Sequence, residues 1–176
     1  GFFENIPRAR TKLQTIFDRP SFAWDPARPI SATNLPRVRS EVSVLDIGGT
    51  QIITAPGELD PILFLGGLEA PYEYTPAGLD IIDATSPNPP DLTMRPVAPF
   101  LRDLARGDAD QVLLFGLAQD FVGYLVPEFD YELHAVSPYY DEAPGDHYEE
   151  TNSVGVGGWP TIRAEMEALL AWPGTP

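Results

Sequence analysis

Apolar and polar positions alternate most regularly over Arg37–Ile47, with Val38, Val42 and Val44 on one face and Arg37, Arg39 and Glu41 on the other. A period of two describes a half-buried strand. Gly48-Gly49 follows as a hairpin turn, since glycine tolerates the positive φ that two-residue turns require. Gln51–Thr54 is then the returning strand, and it runs into Ala55-Pro56-Gly57-Glu58. Pro-Gly breaks the backbone there and leaves a carboxylate at the break. Side chains at such a strand end stand at the rim of a sheet, where ligands bind in α/β proteins. Read locally, Glu58 also suits the cap of a following helix, because carboxylates are favoured near the positive end of the helix dipole.

Beyond the break, Pro61–Leu65 is a short apolar run closed by Gly66-Gly67. Glu69–Pro99 carries Pro71, Pro76, Pro87, Pro89, Pro90, Pro96 and Pro99 and reads as a proline-rich insertion, since loops of that length are functional or mobile more often than core. Pro99–Arg106 places Phe100, Leu101 and Leu104 on one helical face, with Gly107 as a stop. The continuous apolar run Gln111–Phe115 predicts a strand buried on both faces. Tyr131–Val136 predicts a further strand, and Ser137–Asn152 is acidic and irregular. Pro160–Trp172 sets Ile162, Met166, Leu169 and Leu170 at i, i+4, i+7 and i+8, with proline first and Pro173-Gly174 as the stop. Near the start, Leu13, Ile16 and Phe17 have helical spacing before Pro20, and Ser21–Pro36 reads as an extended connector. The fold class expected is α/β (α+β): a mixed β-sheet with flanking helices, forming residues 1–176 as one domain or part of one.

Charge narrows the function. A formal net charge of −15 with only 11 Lys and Arg argues against nucleic acid and against anionic lipid surfaces. No apolar run approaches the roughly 20 residues of a membrane span. Absence of cysteine excludes disulfides and thiolate metal sites. The chain has two histidines, His134 and His147. A catalytic zinc takes three protein ligands, often histidines, so this chain alone would struggle to complete such a site. Asp141, Glu142, Asp146, Glu149 and Glu150 offer oxygen ligands for calcium, although without EF-hand spacing, and a solvated acidic surface fits them equally. Gly155-Val156-Gly157-Gly158 lacks phosphate-loop spacing and reads as a flexible start to the last helix. No G-x-S-x-G elbow accompanies a Ser-His-Asp order.

Three blocks carry a family resemblance. Val42–Glu58 (VSVLDIGGTQIITAPGE), Val112–Tyr124 (VLLFGLAQDFVGY) and His147–Gly155 (HYEETNSVG) resemble, in this order, the carboxy-terminal third of the catalytic domain of neutral/alkaline ceramidases and their bacterial relatives. The resemblance implies a zinc-dependent hydrolase that cleaves the amide bond of N-acyl sphingosine or a related N-acyl lipid. It implies Glu58 and Tyr124 as zinc ligands, and Tyr148 as the catalytic group that binds the reacting carbonyl. Two further histidine ligands would come from an amino-terminal chain or segment of the same enzyme, so that this chain alone is expected to be inactive. A secreted or periplasmic location is implied likewise. Leu59-Asp60 replaces the family's usual Thr pair after the Glu, a change around the pocket that leaves the metal plan intact. The alternatives are a non-catalytic module of the same fold that binds calcium or a protein partner, and an amidase or esterase for a non-lipid substrate.

Overall fold

A computed structural model describes residues 27–28, 40–66, 82–83, 85–105 and 111–173. The helix expected before Pro20, the connector at 21–36, Arg37–Arg39 and the first part of the insertion lie outside the described residues. So do Gly67, Arg106, Gly107 and Gly174.

The hairpin forms as the alternation predicts. Strand β1 (Val44–Ile47) pairs antiparallel with β2 (Thr50–Thr54), Ile47 opposite Thr50 across the two-glycine turn. Gly48 adopts a φ of 62° there; Gly49 does not share it. Val42 and Val44 pack against the core and Glu41 is exposed, so the described part of the strand keeps its expected faces. The strand proper is shorter than Arg37–Ile47.

Strand β4 (Gln111–Phe115) joins β2 in parallel, giving the order β1-β2-β4. Val112 and Leu114 pack inward, but Leu113 and Phe115 are exposed. The expected burial on both faces therefore does not hold within the described residues. A continuous apolar run states what a strand tolerates, and among the described residues only one of its faces meets another layer.

A second, two-stranded sheet follows the break. Strand β3 (Glu58–Leu59) pairs in parallel with β5 (Tyr124–Leu125). The described residues thus form a mixed α/β fold with flanking helices. Helix α1 (Pro61–Leu65) starts on Asp60, whose carboxylate accepts from the Ile62 amide at 2.9 Å, with proline in the first turn. That corrects the local reading of Glu58: the cap is Asp60, and Glu58 lies in a strand. Helix α2 (Leu101–Leu104) is one turn, begun by the Asp103 carboxylate accepting from the Phe100 amide. Helix α3 (Tyr148–Thr151) is one turn set in the acidic segment expected to be irregular. Tyr131–Val136 is not a strand; among the described residues no strand pairs with it, and Val136 is 85% exposed.

Helix α4 (Gly158–Leu170) begins two residues before the expected proline start. It buries Trp159, Ile162 and Met166 against Ile53, Leu63, Leu101 and Leu125. Leu170 packs at the margin while Leu169 points outward, so the apolar stripe is narrower than the sequence pattern implied. The Arg163 guanidinium donates to the Pro99 carbonyl at 2.8 Å, tying α4 to the start of α2. This register has a measurable consequence. Met166→Ala should cost about 2–5 kcal/mol, because it opens a cavity in a closed core. Leu169→Ala should stay within about 0.5 kcal/mol of the parent. Urea midpoints of the two variants would reveal a different helix face if Leu169 proved the costlier change.

Candidate functional site

The break after β2 is built from backbone. Ala55 N–H donates to the Phe115 carbonyl at 2.9 Å, Val122 N–H to that of Pro56 at 2.8 Å, and Leu117 N–H to that of Gly57 at 3.1 Å. Glu58 N–H then donates to the Gly123 carbonyl at 3.0 Å, and Asp60 N–H to that of Leu125 at 3.3 Å. Two glycines permit this closeness. A Cβ on Gly57 would run into the Gly123 carbonyl oxygen, and one on Gly123 into that of Asn152. Gly123 also holds a φ of 88°, which disfavours any L side chain. On the far side of β5, Tyr124 forms a parallel bridge with Ser153.

Side chains distant in sequence are thereby gathered. Glu58 stands directly opposite Tyr124 in the parallel register, and both line a cavity of about 310 Å³. The Tyr148 ring meets the Tyr124 ring edge-on, with centroids 5.8 Å apart and planes at 75°. The ends of all three sequence blocks therefore converge at one place. Glu58 and Tyr148 are exposed and Tyr124 half-buried, so the group opens to solvent.

The cavity is acidic. Asp60, Asp130, Asp146, Glu149 and Glu150 line it with Glu58. Of the acidic loop, Asp146, Glu149 and Glu150 reach this cavity, whereas Asp141 and Glu142 are exposed and do not line it. Burial, then repulsion from Asp130 and Glu149, pushes the Asp60 carboxyl up against the pull of its capping hydrogen bond. Asp130 is raised by burial, although the charge of His147 works the other way. The Tyr124 phenol is held above its ordinary range by partial burial, then by Glu58, Tyr148 and Glu149. Such a cluster favours whatever brings positive charge into it.

Asp60 and Asp130 were not anticipated from sequence. Asp60 was legible, as a capping residue immediately before a proline at the helix start. Asp130 carries no local signal and arrives through tertiary folding. His147, beside the acidic residues, is buried and hydrogen-bonded to Glu150. The spacing of three on a helix start was the available clue.

As metal donors, Glu58 and Tyr124 supply a carboxylate and a phenol, both oxygen ligands, next to each other on adjacent strands. Among the described residues no three or more His, Cys, Asp or Glu side chains are arranged to hold a metal ion. Two such donors are too few to hold a zinc ion by themselves, since a catalytic zinc takes three protein ligands. No helix among the described residues is long and apolar enough to cross a membrane. No protein-family model, curated protein or solved structure matches the chain.

Proposed function

We propose that this chain forms part of a zinc-dependent amide hydrolase of ceramidase type, acting on an N-acyl lipid or a related amide together with an amino-terminal segment that supplies two histidines. One observation carries the reading. Three blocks far apart in sequence bring Glu58 and Tyr124 to one cavity with the Tyr148 ring edge-on to Tyr124, and this proximity supports the reading. Glu58 and Tyr124 would hold the zinc. When bound, such an ion lowers the pKa of a water towards ~7 and polarises a carbonyl.

The chain's own groups set the rest. At about 310 Å³ the cavity is near the small end of ligand pockets, so it suits the amide head and leaves an acyl chain to other surfaces. In hydrolysis, water oxygen bonds to the carbonyl carbon, the C–N bond breaks, and the leaving nitrogen takes a proton. Negative charge builds on the carbonyl oxygen in between. The Tyr148 hydroxyl, exposed beside Tyr124, is the donor for that oxygen. Removal of one such donor typically costs about 10²–10³ in kcat. Tyr148→Phe in the assembled protein should therefore lose that factor against an N-acyl amide series, with zinc content unchanged. Hydrolysis at the parent rate would overturn the role of Tyr148.

The acidic lining favours a second reading, a non-catalytic module that binds calcium or a basic partner. Calcium titration by calorimetry separates the two. Saturable binding without amide hydrolysis would favour the module.

A further inference from the structure

His147 is buried, and both ring nitrogens face oxygen. Nδ1 lies 2.7 Å from Glu150 Oε1, and Nε2 lies 3.2 Å from the backbone carbonyl oxygen of Asn88. A carbonyl has no proton to give, so Nε2 carries its hydrogen. Nδ1 then meets the Glu150 carboxyl, and that contact is attractive only with a proton between the two atoms. The pair consequently holds one proton more than a neutral imidazole beside a carboxylate.

That proton joins two parts of the site. Glu150 lies on α3, two residues after Tyr148, and its Oε1 also accepts from the Glu132 amide at 3.4 Å. Asn88 belongs to the proline-rich stretch, which is fastened here rather than free. The Asn88 side chain donates to the Pro144 carbonyl at 2.5 Å, and Asp91 N–H donates to that of Phe129 at 2.7 Å. Gly145 passes so close that a Cβ would sit 2.6 Å from Ser86 Oγ and 3.3 Å from His147 Nε2. The charged groups acting on His147 are Glu150 from α3 and Asp130 from the turn at 128–130; the proline-rich stretch contributes the Asn88 carbonyl.

We propose that His147, through its shared proton with Glu150, is a positioning residue that fastens the Tyr148-bearing turn to the 85–91 strap. The consequence for function rests on the reading of Tyr148 as carbonyl donor. Burial works against the imidazolium, but the Glu150 hydrogen bond and charge, the Asn88 carbonyl and Asp130 outweigh it and raise its pKa. Glu150 is itself raised, by burial against the pull of His147, so both partners favour keeping the proton. With the folded value above the unfolded value of about 6.5, the stabilisation is fully present below about pH 6.5 and is lost as pH rises through the folded value.

The test uses the full chain labelled with ¹⁵N, in which only two imidazoles need assignment. From about pH 5 to about pH 9, His147 should keep both ring protons beyond the point at which a free imidazole loses one. Amide exchange at 148–151 and at Asn88 and Asp91, corrected for its intrinsic pH dependence, should quicken about tenfold as His147 titrates. Glu150→Gln should move that titration to lower pH and release the same amides. In assembled protein acting on an N-acyl amide it should lower kcat while KM stays within about twofold. Titration of His147 at the free-imidazole value, or unchanged exchange at these amides, would overturn the inference. Absence of hydrolysis in the parent would count against the proposed function alone, because the titration and exchange results stand without it.

Discussion

Glu58→Ala is expected to strip zinc from the assembled protein and to reduce amide hydrolysis by well over a hundredfold. Outer-shell partners of a metal already cost about 10–100-fold in affinity or activity, and a direct ligand costs more. Glu58 is exposed and its side chain carries none of the hydrogen bonds that join β3 to β5, which run through backbone. The fold should therefore survive, with stability within about 0.5 kcal/mol of the parent. Elemental analysis and thermal unfolding of the same sample separate loss of metal from loss of structure. Retained zinc with unaltered hydrolysis would remove Glu58 from the site.

Gly123→Ala is expected to damage the chain most through its backbone. The residue sits at a φ of 88°, and a Cβ there would collide with the Asn152 carbonyl that accepts from the Tyr124 amide. Strained φ costs about 1–3 kcal/mol by itself. The collision adds to it, since two backbone segments must separate and carry Tyr124 away from Glu58 and Ser153. The sum should reach about 4 kcal/mol or more, at the extreme end of single substitutions. Gly48→Ala is the matched comparison. Gly48 has a φ of 62° but nothing within 4 Å of a Cβ, so it should cost the strain alone. Equal losses for the two in urea unfolding would mean that close approach of the strands around Gly123 contributes little.

Local pattern predicted the parts of this fold that local physics decides. The hairpin at Gly48-Gly49 follows from alternation and turn chemistry, and the last helix from the spacing of Ile162 and Met166. Errors arose where tertiary structure decides. Val112–Phe115 is apolar throughout, yet whether its second face is covered depends on other layers. Tyr131–Val136 has strand-like residues and, among the described residues, no strand to pair with. The site was legible in a similar, partial way. Glu58 was noticeable at a backbone break, but its position opposite Tyr124 depends on two parallel strands separated by the whole proline-rich stretch. No period in sequence encodes that pairing. Asp130 was invisible for the same reason, and so was the contact of His147 with Asn88, although the spacing of His147 to Glu150 was legible.

The outward positions of Glu58 and Tyr148 agree with a site completed by another segment. A carboxylate and a phenol on neighbouring strands are too few donors for a closed zinc centre, which takes four ligands in tetrahedral geometry or three and a water. On the proposed reading the acidic lining would serve to raise the local concentration of a cation.

The most direct test of the Glu58–Tyr124 pairing is the zinc content of protein carrying this chain together with the segment that supplies the histidines. The parent should hold about one zinc per complex, and Glu58→Ala and Tyr124→Phe should each lower it. A parent free of zinc after exposure to the metal, or a zinc content indifferent to both substitutions, would contradict the account.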